Sequence, residues 1–156
     1  MVAIAAIFFS ILIVIIVLFQ IGLAMGMPWG EYAMGGYFPG RFPWALRLLA
    51  IFQGLLLIIF AIIVLDKASL FRFGFFSIPS IAIWFVVAFS LLTAVLNFIV
   101  KSKKERMVWF PTSILLLITS LIVALDKNDI KDKFADWDWG HIHRKYKIKL
   151  IILNKA

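Results

Sequence analysis

Four long apolar runs, separated by shorter polar or glycine-rich stretches, dominate the chain. Residues 3–25, 44–65, 80–100 and 109–125 each approach the roughly 20 mostly apolar positions that a helix needs to cross the hydrocarbon of a bilayer. None of the eight acidic residues lies inside these windows. The one basic residue that does, Arg47, sits in a first turn, from which its long side chain reaches the headgroups. The pattern predicts an all-α, polytopic protein of the cell membrane: a four-transmembrane-helix bundle over residues 1–125 and a tail over 126–156.

The first run lacks a basic leader and a small-residue cleavage site, and it exceeds the apolar core of about 7–15 residues found in signal peptides, so it is expected to remain as a helix. Ser10 and Gln20 are its clearly polar side chains, and a glutamine in hydrocarbon needs a hydrogen-bond partner. Phe42-Pro43-Trp44, Ile78-Pro79-Ser80 and Phe110-Pro111-Thr112 are read as the openings of the next three helices, because proline suits a first helical turn. Trp29, Trp44, Trp84 and Trp109 fall near helix ends, where interfacial anchoring is the expected role.

The connections differ in chemistry. Residues 26–47 combine glycines, prolines, aromatics and both signs of charge, and form a Gly/aromatic-rich first loop. Residues 66–79 hold Phe71, Phe73, Phe75 and Phe76 and read as an aromatic hinge in the interface. Residues 101–107, KSKKERM, carry four basic side chains and one glutamate. That cluster and the uncharged N-terminus favour cytoplasmic first and third loops. The likeness of AIIVLDK at 61–67 to LIVALDK at 121–127 reads either as two related helical hairpins or as convergence of simple apolar sequence.

Composition narrows the function classes. The chain is 64% hydrophobic with a net charge of +8, and five of its sixteen basic residues fall after Gly140. Basic side chains at helix ends fit anionic lipid, and nucleic acid is not an expected partner. The absence of cysteine removes disulfides, thiolate metal sites and thiol redox chemistry. No Ser/His/Asp set, phosphate-binding loop or intramembrane carboxylate pair is recognisable, so the expectation is a protein that is not an enzyme and carries no cofactor or metal. Proton-coupled export requires a titratable acid inside a span, and the windows contain none.

The polar residues of the helices are uneven in depth. Gln20, Gln53, Thr93, Asn97, Thr112 and Ser113 fall in the half nearest the first and third loops, whereas the opposite half holds little beyond Ser10 and Ser120. Ser90, Thr93 and Asn97 share one helical face, most economically turned inward. Two arrangements follow, and they are compatible: interhelical hydrogen bonds among Gln20, Gln53 and Asn97, or a polar cavity that opens toward the first loop. Glu31 is the only acid of that loop, and an ion pair with Arg41 or Arg47 is expected for it.

In the tail, Asp136, Asp138, His141 and His143 read as a solvated turn or a weak metal-like grouping. The closing basic and apolar residues suit the membrane surface.

Pro28, Trp29, Gly30, Glu31, Gly35, Gly36, Pro43 and Arg47, followed by Asn97, Glu105, Arg106, Trp109 and Pro111, form a PWGEYxxGG loop and an N…ERxxWxP segment. This pattern resembles a family of small four-helix integral membrane proteins of Gram-positive bacteria, over roughly residues 3–125. The resemblance implies the fold and the location of the site, and no reaction.

Together these readings give an integral membrane protein that binds a lipid or other amphiphilic small molecule. Gln20, Gln53, Thr93 and Asn97 would line its cavity, the 26–47 loop with Trp29 and Glu31 would cap it, and Arg41, Arg47 and Arg106 would hold an anionic headgroup. The alternatives are an oligomeric pore or transporter subunit, and a non-catalytic accessory subunit of a larger membrane complex. Membrane lipids are the expected partners, with a homo-oligomer or a membrane-protein partner in the alternatives.

Overall fold

In hydrocarbon every backbone N–H and C=O must be satisfied within its own segment, so apolar runs of this length become helices. The computed structural model, which describes residues 1–71 and 80–126, contains four: α1 (Val2–Met25), α2 (Trp44–Lys67), α3 (Ala82–Ile99) and α4 (Lys103–Ala124). No strand occurs among the described residues. All four helices are long and apolar enough to cross a membrane. In each, only 22–28% of the apolar window is buried within the protein, so most apolar side chains face outward, as a lipid solvent permits. The chain is a multi-pass, all-α membrane protein with a four-helix bundle.

The helix ends follow local chemistry. Helix α1 stops at Gly26, in the left-handed conformation with φ 88°, and Met27 N–H returns to the Gly22 carbonyl at 2.9 Å. Helix α2 starts directly after Pro43, as its sequence suggests.

Helix α4 corrects the expected boundary. Phe110-Pro111-Thr112 does not open it; the helix begins at Lys103, and Pro111 lies inside. Ser102 caps it, its Oγ accepting the Glu105 N–H at 3.3 Å. Ser102 and Glu105 have the spacing of a capping box, and this stop-start signal lies within a charged run that reads as a loop when only hydropathy is considered. The consequence is chemical: Glu105 belongs to the first turn of a helix long enough to span, as Asp66 belongs to the last turn of α2, contrary to the expectation that no acid would lie within one.

The helices pack as two hairpins, α1 with α2 and α3 with α4, and α1 also packs on α4, whereas α2 and α3 meet sparsely. The end of the bundle away from the first loop is closed by Ala6, Phe9, Val64, Val86 and Val123, all almost fully buried. Its hydroxyls are satisfied within their own helices: Ser10 donates to Ala6 O, Thr119 to Leu115 O and Ser120 to Leu117 O. Phe60 of α2 and Phe89 of α3 meet edge to face at 5.0 Å between centroids and bridge the sparse α2–α3 contact at that level. The 72–79 part of the aromatic hinge, Lys127 of the repeated motif, the 136–143 Asp/His grouping and the basic and apolar tail lie outside the described residues.

Candidate functional site: a capped cavity in the bundle

Above the Phe60–Phe89 contact the bundle encloses a cavity of about 430 Å³. Its lower wall is apolar, from Ile13, Ile16, Leu57 and Leu116; its upper wall carries Gln20, Gln53, Ser90, Thr93, Asn97 and Ser113. Thus Gln20, Gln53, Thr93 and Asn97 are brought together as the depth asymmetry predicts. Thr112 does not line the cavity; it donates to Val108 O at 2.7 Å.

The polar groups do not form the expected mutual network. Asn97 Nδ2 donates to the Trp109 carbonyl at 3.4 Å, and Thr93 Oγ1 to the carbonyls of Phe89 and Ser90 at 3.0 Å each. Neither Gln20 nor Gln53 side chain hydrogen-bonds Asn97. Gln20 is only 7% exposed, next to Gly54, and lines the cavity. Glycine at 54 leaves α1 and α2 close at this level: a Cβ there would lie 3.7 Å from Gln20 Cβ.

The first loop forms the lid. It consists of two short 3₁₀ turns, Gly30–Tyr32 and Met34–Gly36, and Tyr32, Ala33 and Met34 line the cavity from above. Gly30 N–H donates to Gly40 O at 3.0 Å, and a side chain at Gly30 would run into the carbonyls of Phe38 and Gly40. This close backbone approach is the physical requirement for glycine there.

The lid is fastened to the start of α4. Trp109 Nε1 donates to Tyr32 O at 2.6 Å, Ser102 Oγ donates to Glu31 O at 3.2 Å, and Lys104 Nζ pairs with Glu31 Oε2 at 2.7 Å. The predicted pairing of Glu31 with Arg41 or Arg47 is therefore replaced by one with Lys104, a residue distant in sequence that the α4 start brings beneath the loop. Trp29 stacks on Phe19, with centroids 5.7 Å apart, and Trp109 meets the same ring edge-on at 4.8 Å. Trp109 thus faces the cavity rather than serving solely as an interfacial anchor.

The remaining predicted site residues lie elsewhere. Trp29 sits outside the cavity wall, against Gly22 and Phe19. Glu31 is occupied at the rim by Lys104. Arg47 closes the base of the loop: its Nε donates to Phe42 O at 2.8 Å and its guanidinium packs on Gly26, beside the α1 C-terminus, where the helix dipole favours a cation. Arg41 and Arg106 are exposed and do not line the cavity. Adjacent helical residues diverge by about 100°, so turning Glu105 inward turns Arg106 out.

Glu105 is the site residue that sequence reasoning missed. It lines the cavity, is 8% exposed, and its Oε2 is buried without a hydrogen-bond partner. The backbone of Gly35 and Gly36 approaches the same carboxyl. Both glycines have φ 73°, a left-handed conformation that lets successive amides converge on an anion. The capping-box spacing from Ser102 was the sequence signal for this residue. Comparison with protein-family models, curated proteins and solved structures finds no match.

Proposed function

We propose that this protein, resident in the cell membrane, binds a lipid or other amphiphilic small molecule in the capped cavity. The observation that carries the reading is the two-part wall: an apolar floor continuous with amide and carboxyl groups under a tethered lid. Small-molecule sites typically occupy about 300–1,000 Å³ and combine apolar walls with a few polar groups that fix orientation. The sparse α2–α3 contact supplies an entrance from the bilayer, with Leu49, Gln53 and Leu96 at its edges, all three exposed and all lining the cavity.

Native mass spectrometry of protein purified in a neutral detergent tests this reading. The wild type is expected to retain a bound amphiphile in one-to-one ratio, and Thr93→Phe, which fills the cavity, to lose it. Identical spectra, free of bound molecules, would refute it.

One observation favours a second reading, a transporter subunit. Glu105 supplies a cavity-lining acid in a helix long enough to span, as proton-coupled transport requires. Substrate flux in liposomes driven by a proton gradient, abolished by Glu105→Gln, would select transport over binding alone.

A further inference from the structure

We propose that the occupant of the cavity carries a cationic, N–H-donating headgroup, an alkylammonium, and that Glu105 is the residue that receives it. This rests on the amphiphile-binding reading and reverses the headgroup charge expected from the loop arginines.

The carboxyl of Glu105 is incompletely matched by its surroundings. A buried carboxyl with an oxygen lacking any hydrogen-bond partner is expensive, and an ionised one more so, unless a donor or a cation reaches it. Within the protein, the Gly35 and Gly36 backbone approaches the carboxyl but leaves Oε2 without a partner, and no described basic side chain reaches it. Lys104, the adjacent cation, is held on the rim by Glu31, and Arg106 is exposed on another side of α4. Arg41 and Arg47 do not line the cavity, and Arg47 is engaged by Phe42 O. Glu105 is therefore the charged residue among those lining the cavity.

The groups around it suit the same ligand. Trp109 lines the cavity at the lid end together with Glu105, and aromatic rings attract cations; the Tyr32 ring, also at the lid end, already has Lys104 Nζ 6.0 Å from its centroid. The carbonyl oxygens of Gln20 and Gln53 add acceptors for N–H donors on the same wall. The hydroxyls of Thr93 and Ser113 are already committed to carbonyls of their own helices. An anionic headgroup would meet a buried carboxylate with no lining cation to offset it. An ammonium with N–H donors would satisfy Glu105, and its alkyl chain would run down the wall formed by Ile13, Ile16, Leu57 and Leu116 toward Phe60.

Three ligands that differ only in headgroup separate the possibilities: decylammonium, decanol and decanoate, titrated into the full-length protein in neutral detergent and read by native mass spectrometry. In the wild type, decylammonium is expected to bind at least about tenfold more tightly than decanol, with decanoate weakest, as a charge-assisted hydrogen bond in a dry site provides. In Glu105→Gln the preference for the ammonium is expected to fall within about threefold of decanol, with decanol binding retained. Because Glu105 also meets the Gly35–Gly36 backbone, Glu105→Asp serves as the second variant. It keeps the carboxyl and is expected to keep the preference, and the wild-type ranking by itself decides the headgroup charge.

Decanol or decanoate binding as well as decylammonium in the wild type would overturn the headgroup inference and leave the cavity reading standing. An ammonium preference undiminished in Glu105→Gln would overturn the role of Glu105. Absence of one-to-one binding by all three ligands, or binding unaffected by Thr93→Phe, would overturn the cavity reading and the inference with it.

Discussion

The indole N–H of Trp109 donates to the carbonyl of Tyr32 at 2.6 Å, joining α4 to a loop residue 77 positions earlier in the chain. One end of this contact is a cavity wall and the other is the lid, so the same bond that orders the loop also sets the height of the chamber. Replacing Trp109 with Phe keeps an aromatic ring against Phe19 and removes the donor. The expected result is faster amide exchange across residues 30–36 with the helices unchanged, and a loss of stability of about 1–3 kcal/mol if Tyr32 O is left unpaired.

Gly30 sets the internal path of the lid. Gly30→Ala is expected to displace the loop, because its Cβ overlaps backbone carbonyls that cannot rotate away, and to cost about 1–3 kcal/mol. Gly40→Ala is the contrasting case: open space surrounds it, and the strain comes from its φ of 92°. Thermal melts in detergent should show loss of ligand-induced stabilisation for Gly30→Ala, beyond any shift in the unliganded protein.

The partner of Glu31 is open to a direct test. Glu31→Lys and Lys104→Glu are each expected to loosen the lid, and the double charge swap to restore wild-type exchange protection at residues 30–36. Swaps of Glu31 with Arg41 or Arg47 are expected to restore nothing. The exposed position of both groups makes the effect modest and sensitive to salt.

Ser102 caps α4 and also donates to Glu31 O. Ser102→Ala is expected to cost about 0.5–2 kcal/mol, the usual range for an N-cap serine, with unfolding measured in detergent. Thr112→Val, at a residue outside the cavity wall, is expected to leave ligand binding unchanged.

Much of this organisation is legible in the residue order because its physics is local. Apolar length alone predicts the four spans, and the depth of Gln20, Gln53, Thr93 and Asn97 predicts which end of the bundle encloses polar groups. Glu105 escaped because it belongs to a run of four basic residues that hydropathy treats as a connection, while Ser102 starts a helix within that run. The Glu31–Lys104 pair and the Trp109–Tyr32 bond depend on which loop folds over which helix end. The gap between α2 and α3 is likewise a property of packing between segments, with no counterpart in the period of either helix.

Entry of an amphiphile beneath the lid is probed by photolabelling the full-length protein in a bilayer with a diazirine-bearing decyl probe and mapping the adducts. Labelling at Gln20, Tyr32 and Trp109, lost in Thr93→Phe, is the predicted result. Labelling confined to outward-facing residues such as Leu18, Phe52 and Phe98, and unchanged by that substitution, would contradict the account.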